Sequence, residues 1–217
     1  MNLDELWARL EAMVTNHIAS EPHPRDPAHD LGHIRRVART AHHIADAEGA
    51  DVEVCLAAAW LHDLVFLPKN HPDASTTATR TAALIPGAAA HIGLGDSAEA
   101  IRTAVAEHSF SAGRPPTTLE SAVLQDADRL DAIGAIGIAR CFATGGSFGG
   151  ALWHPEDPFA RSGRGLDDKA FSLDHFERKL LKLGPAMNTA AGRALAMARE
   201  EAMAAFLAAL RTELTLA

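Results

Sequence analysis

The chain has 217 residues, 47% of them hydrophobic, enough for one domain to bury a core without disulfides or a structural metal. Its 28 acidic residues outweigh 20 basic ones, giving a formal charge of −8 that argues against a surface built to neutralise a nucleic-acid backbone. No stretch approaches the ~20 apolar residues that cross a bilayer, the first residues lack a basic start and apolar run, and Cys55 and Cys141 have no partner spacing, so the expectation is a soluble cytoplasmic protein with two buried thiols.

Ala, Leu and Glu dominate, aromatic residues make up 5%, and no alternating β-branched run is longer than a few residues, so the pattern predicts one all-α domain over residues 1–217. A first helix is expected over about 4–18, where Leu6, Leu10, Met13, Val14 and Ile18 recur at helical spacing. Three prolines within 22–27 end it. A second begins near His29 and Asp30 and stops at Glu48-Gly49, with Ile34, Val37, Ala41, Ile44 and Ala45 on one face. His33 shares the side that holds Arg36 and Val37, where a histidine can hydrogen-bond across a core or ligate a metal. His29, a turn earlier, is placed to cap or support, while His42 and His43 suit the surface.

Asp51 can cap a third helix, 52 to about 64, whose small and apolar residues carry His62 and Asp63 into core-like surroundings. Such a pair is costly to bury unpartnered. It is either a salt bridge at a helix end or half of a metal site, and adjacent helical side chains, about 100° apart, converge on one ion most easily where the helix ends. The loop that follows carries Lys69 and His71.

Further helices are expected over 74–85, 96–108 and 118–133. The last contains Asp126, Asp128 and Asp131 in an apolar setting, with Asp128 on the core side; Arg129 can pair with one of them but not with three. Residues 145–168, with six glycines, read as a long lid-like loop that is mobile without ligand. No strand precedes these glycines and no Gly-Lys-Ser/Thr follows, so they are not a phosphate loop. Two packing helices, about 172–183 and 189–214, complete the chain.

Taken together, His33 in His-Ile-Arg-Arg-Val, His62-Asp63 in Trp-Leu-His-Asp and Asp128 in Gln-Asp-Ala-Asp-Arg-Leu-Asp resemble the H…HD…D pattern of the HD-domain metal-dependent phosphohydrolases, with 29 residues from His33 to His62 and 65 from Asp63 to Asp128. The resemblance is close over about 29–145 and weaker beyond, where Lys179-Leu180-Leu181-Lys182-Leu183 and Met187-Asn188-Thr189 are similar to a small bacterial single-domain subgroup. It implies an HD-type helical bundle that holds one divalent ion on His33, His62, Asp63 and Asp128 and acts on a phosphate ester or anhydride.

Two imidazoles and two carboxylates suit Mn, Fe, Co, Ni or Zn better than Mg or Ca. Such an ion lowers the pKa of its water and neutralises charge developing on phosphorus. Arg36, Lys69, His71 and His108 are candidates for holding phosphate oxygens or moving a proton, so that Asp63, Lys69 and His108 are the catalytic candidates. His29 and Asp131 are expected to orient ligands from behind. Nucleotidases of this kind that carry a glutamate a turn after the His-Asp pair are not matched, because Leu64, Val65, Phe66 and Leu67 are apolar, which leaves Glu107 or His108 for that role. The expected function is divalent-metal-dependent hydrolysis of nucleoside mono- or triphosphates. Cyclic-nucleotide phosphodiesterase and a non-catalytic nucleotide or alarmone sensor are the alternatives. The expected partner is a small phosphorylated substrate, neither a nucleic-acid polymer nor a membrane, and the oligomeric state is left open.

Overall fold

The first three helices begin where a short polar side chain takes over the N–H groups that a helix start leaves unpaired. Asn2 and Glu5 form a capping box for α1 (Leu3–Ala19), Asp30 accepts from His33 N to open α2 (Leu31–Glu48), and Asp51 accepts from Val54 N to open α3 (Val52–Leu61). Gly49 closes α2 at φ 71°, a left-handed conformation that glycine adopts without strain. In this computed structural model the described residues are all but 22–24, 27, 68–70, 72, 74–75, 110–112, 148 and 217, with only the backbone of 216. Among them α4 (Thr77–Ile92), α5 (Ala98–Glu107), α6 (Leu119–Asp131), α7 (Gly134–Ser147), α8 (Asp174–Arg178) and α9 (Ala190–Leu216) follow, and the only β pairing is an isolated bridge between Ala151 and Phe171. The fold is all-α.

The chain forms two compact units, Met1–Asp128 with Asn188–Ala191, and Arg129–Met187 with Gly192–Ala217. In the first, α3 contacts α1, α2, α4 and α5. Every residue from Val54 to Leu61 is buried, so α3 is apolar all round and serves as the central post of this unit. Burial, reinforced by the charges of Glu120 and Asp51, pushes the Cys55 thiol up to about 12, which keeps it unreactive. Cys141, expected to be buried, is only half-buried and donates to Ser172 O.

Several boundaries differ from those the sequence predicts. The fourth helix runs through Pro86 to Ile92, because Pro86 faces solvent while Ile85, Ala89 and Ile92 are buried. Their burial offsets the ~3 kcal/mol that an internal proline costs. The Asp-bearing helix stops at Asp131, where Ala132 N and Ile133 N bond back to Arg129 O and Leu130 O, and α7 starts directly after it. Gly134, at φ 75°, permits this reversal, and a Cβ there would lie 2.9 Å from Arg199 Cβ.

In the second unit, α7 takes the first residues of the expected loop, Gly145 to Ser147. Residues 149–173 follow without a helix but with many internal bonds. Asp157 accepts from Arg161 N, Ser162 N and Ser162 Oγ, and Arg164 reaches both oxygens of Asp174 at 2.6 and 2.7 Å. Asp167 N adds a third bond to Asp174. The last helix before α9 is expected over 172–183 but breaks at Lys179 into α8 and a 3-10 turn, Leu180–Lys182.

Asp174 is 2% exposed, and burial opposes its charge, yet Arg164 and Asp167 N hold its carboxyl below the usual carboxylate value. A depressed folded pKa stabilises above the unfolded value, near 4, and that stabilisation is lost as pH falls through the folded value. Asp174→Asn leaves Arg164 without its charge partner and is expected to cost about 3 kcal/mol at pH 7. Thermal unfolding of both proteins at pH 7 and at about pH 3 checks this, with the gap between them narrowing in acid.

Candidate metal centre

Histidine 33 stands in the first turn of α2, on the face that buries Ile34 and Val37, and its backbone N–H is held by the Asp30 cap at 2.8 Å. His62 and His108 stand at the ends of α3 and α5, each as the C-cap residue. Both rings bond back to a carbonyl three residues earlier, His62 Nδ1 to Ala59 O at 2.7 Å and His108 Nδ1 to Val105 O at 2.6 Å. A carbonyl accepts, so each ring carries its proton on Nδ1 and presents Nε2 away from its helix. The Ala59 bond also explains why α3 stops at Leu61 rather than near Leu64: the carbonyl that would take the next helical N–H is given to the ring.

Past that end, two bonds fix the backbone beside Asp63. Leu64 O accepts from His17 Nε2 at 2.7 Å, and Val65 N donates to the buried Thr81 hydroxyl at 3.1 Å. Asp63 Oδ2 then lies 3.4 Å from His62 Nε2 and 3.7 Å from His33 Nε2, while Asp63 Oδ1 lies 3.9 Å from His108 Nε2. Asp128 Oδ1, from α6, lies 3.6 Å from His33 Nε2. The rings of His33 and His62 are 5.4 Å apart, those of His62 and His108 5.1 Å. The structure therefore brings together His33, His62, Asp63 and Asp128, and adds His108.

Donors about 2.1 Å from a common ion stand about 3 Å apart at right angles and about 4.2 Å apart when opposed. The observed separations, 3.4 to 3.9 Å, fall within that range. One donor atom each from His33, His62 and Asp128 lie within 4.8 Å of one another, and so do those from His62, Asp63 and His108. His62 Nε2 is buried without a hydrogen bond of proper geometry among the described residues. Burial disfavours a charge on His62, but Asp63 and Asp128 outweigh it and push the ring up to about 9. Asp63, opposed by burial and favoured by His62, His29 and His33, is held well below the usual value, and Asp128, also opposed by burial, is lowered by His33, His62 and His108. Burial and repulsion from His62 lower His108. Two carboxylates and facing imidazole nitrogens are a donor set that asks for a cation, and they fit a divalent transition ion.

The other sequence candidates are placed differently. His29 Nδ1 contacts both oxygens of Asp26, at 2.9 and 3.0 Å, and its ring lies 5.8 Å from those of His33 and Phe66. Arg36 is half-buried one turn after His33, with Nη1 beside the Asp30 cap around Gly32. His71 is exposed and accepts from Asp73 N, apart from the cluster. Lys69 lies outside the described residues. Glu107 accepts from Thr117 N and Oγ1 and so caps the segment before α6. Of the three aspartates, Asp131 accepts from Arg140 Nη1 at 2.7 Å, and Arg129, the partner the sequence suggests, donates to Ala186 O. Asp126 is buried and takes N–H donors from Asn188 and Thr189. Sequence reasoning missed His17 and Thr81, whose only signal is a polar residue at the helical spacing of a packed face.

A family model for the HD domain matches residues 30–133, which contain all four residues of the expected ligand set. The chain is similar to YpgQ of Bacillus subtilis (strain 168), 33% identical over 191 residues that cover 86% of this chain and 84% of that protein. The crystal structure of B. subtilis YpgQ in complex with ADP aligns with a TM-score of 0.72 at 30% identity, covering 95% of this chain and 97% of that one. A structure described as an HD-superfamily hydrolase from Bacillus thuringiensis aligns with a TM-score of 0.71 at 29% identity over 97% of both chains. With the pattern, the fold and the relatives in agreement, this chain belongs to the HD-domain family.

Proposed function

We propose that the protein is a divalent-metal-dependent phosphohydrolase acting on nucleoside mono- or triphosphates, with His33, His62, Asp63 and Asp128 as ligands of one Mn, Fe, Co, Ni or Zn ion. The observation that carries the proposal is the convergence of these donors at 3.4 to 3.7 Å in a helical core. The nucleotide is supported by the ADP complex of YpgQ, a relative matched over nearly its whole length.

A divalent ion held there supplies positive charge against a phosphate group and makes a water acidic enough to attack phosphorus near neutral pH. Asp63 and Asp128 offset its two charges. The Ala59 bond holds the His62 ring so that Nε2 faces inward. To His108, whose Nδ1 is bonded to Val105 O, we assign the proton that leaves the water, taken at Nε2 as the water oxygen bonds to phosphorus and the phosphorus–oxygen bond to the leaving group breaks. Arg36, at the start of α2, is the described cation we assign to a phosphate oxygen, and Lys69 and His71 in the loop after the His-Asp pair are assigned the same task.

Protein purified without chelator is expected to carry transition metal, read by elemental analysis. After chelation, Mn, Co or Ni should restore it and raise the melting temperature. If none of them binds, this is not a metal site. Phosphate release across nucleoside mono-, di- and triphosphates and cyclic nucleotides then identifies the bond cleaved; turnover of cyclic nucleotides alone favours a phosphodiesterase, and binding without turnover a sensor.

Asp63→Asn keeps the size of the side chain but removes a charge that offsets the dication, so metal content should fall and turnover drop by roughly a hundredfold or more. Asp51→Asn preserves an N-cap at the far end of α3, where the native carboxylate accepts from Val54 N, and should leave both nearly intact. Near-native metal content and activity in Asp63→Asn would return the pair to the status of a helix-end salt bridge.

A further inference from the structure

Gln125 and Asp126 are 1% and 0% exposed, three and two residues before Asp128 on α6. A carboxylate so deep must be satisfied by donors. Asp126 takes them from a segment more than sixty residues later: Asn188 N at 2.8 Å, Asn188 Nδ2 at 3.0 Å, Thr189 N at 2.7 Å and Thr189 Oγ1 at 2.8 Å. The Asn188 amide also donates to Gln125 Oε1 at 3.1 Å. That leaves the Gln125 Nε2 donors for Glu107 O at 2.8 Å and Arg114 O at 2.9 Å. Both acceptors are carbonyls, so the amide orientation follows from its partners. Glu107 is the residue before His108.

The network ties two members of the cluster to one place. On a helix, Asp126 and Asp128 are about 200° apart, so a grip on Asp126 from behind sets the rotation of α6 that aims Asp128. Gln125 meanwhile holds the end of α5, from which His108 presents Nε2. Asn188 and Thr189 direct these donors at Asp126 and Gln125. We infer that Asn188 and Thr189 are positioning residues, which act through Asp126 and Gln125 to hold Asp128 and His108 in register for the metal centre. The inference rests on the phosphohydrolase reading above and extends it to a segment outside the matched HD region, residues 30–133.

Three variants test it: Asn188→Ala, Thr189→Val, which keeps the shape but removes the hydroxyl donor, and Thr189→Ser, which restores the donor. The readouts are Mn2+ affinity of the chelator-treated protein, thermal unfolding of the same metal-free protein, and kcat and KM on the nucleotide that the wild type hydrolyses best. Asn188→Ala and Thr189→Val are expected to lose on the order of 10–100-fold in Mn2+ affinity or in kcat while still unfolding cooperatively, as is usual when groups behind metal ligands are removed. KM should stay within about twofold, because the bonds of the segment go to Gln125 and Asp126 on the helix that carries Asp128. Thr189→Ser should recover most of the loss. Wild-type Mn2+ affinity and kcat in both Asn188→Ala and Thr189→Val, or equal impairment of Thr189→Ser and Thr189→Val, would overturn the inference. So would loss of the folded state in the first two variants, which would make the contact a support of the fold. A wild type that neither binds Mn2+ nor hydrolyses any nucleotide overturns the phosphohydrolase reading instead, and does so before any variant is made.

Discussion

Burying charge without a partner is what the first unit of this protein has to solve. Asp63 and Asp128 face His33, His62 and His108 at hydrogen-bond to ion-pair distances, in surroundings where His33 and His62 are each 1% exposed. Two carboxylates in such a place need positive charge. A proton on His62 supplies it when no metal is present, which is why that ring is pushed up to about 9. A dication bound there would do the same with both carboxylates balanced. The apolar all-round character of α3 follows from its place, since the helix that delivers the pair is packed against α1, α2, α4 and α5.

Helix ends do the aiming. His62 and His108 use the same local device, a C-cap position with the ring bonded to the carbonyl three residues back, so that Nδ1 is spent on the helix and Nε2 is turned outward. His33 sits at the opposite kind of end, in a first turn fixed by Asp30. A side chain in mid-helix has a direction dictated by the helix, whereas one at an end can be set by a single hydrogen bond. Three histidines from three separate helices can thus converge without distorting any of them.

The second unit is held by charge as well, but by pairs complete in themselves. Arg164 with Asp174 and Arg140 with Asp131 join oppositely charged groups at 2.6 to 2.7 Å, with Asp174 and Asp131 2% and 3% exposed. These are charge-assisted bonds, two of them forming a bidentate fork on Asp174, and they need no ion. The histidine and aspartate cluster differs in that its positive charge comes from a group that can lose it: an arginine stays charged, whereas an imidazole facing a carboxylate gives up its proton as pH rises.

How much of this could be read from the chain by itself follows from the range of the interactions involved. Helical periodicity, the caps at Asp30 and Asp51, the glycine stop at Gly49 and the placing of His62-Asp63 at a helix end are local, set by residues a few positions apart, and the sequence determines them. The order and types of His33, His62, Asp63 and Asp128 likewise stand in the sequence, and they suffice to suggest the family. What tertiary structure decided is which polar residues meet. Only packing shows that Asp128 faces His33 while Asp126, two residues away, is capped by Asn188 and Thr189, that Asp131 goes to Arg140, and that Arg129 reaches Ala186 O. The continuation of α4 through Pro86 and the start of α7 at Gly134 are of the same kind, since each depends on what a face buries against and not on the propensity of the residues that form it.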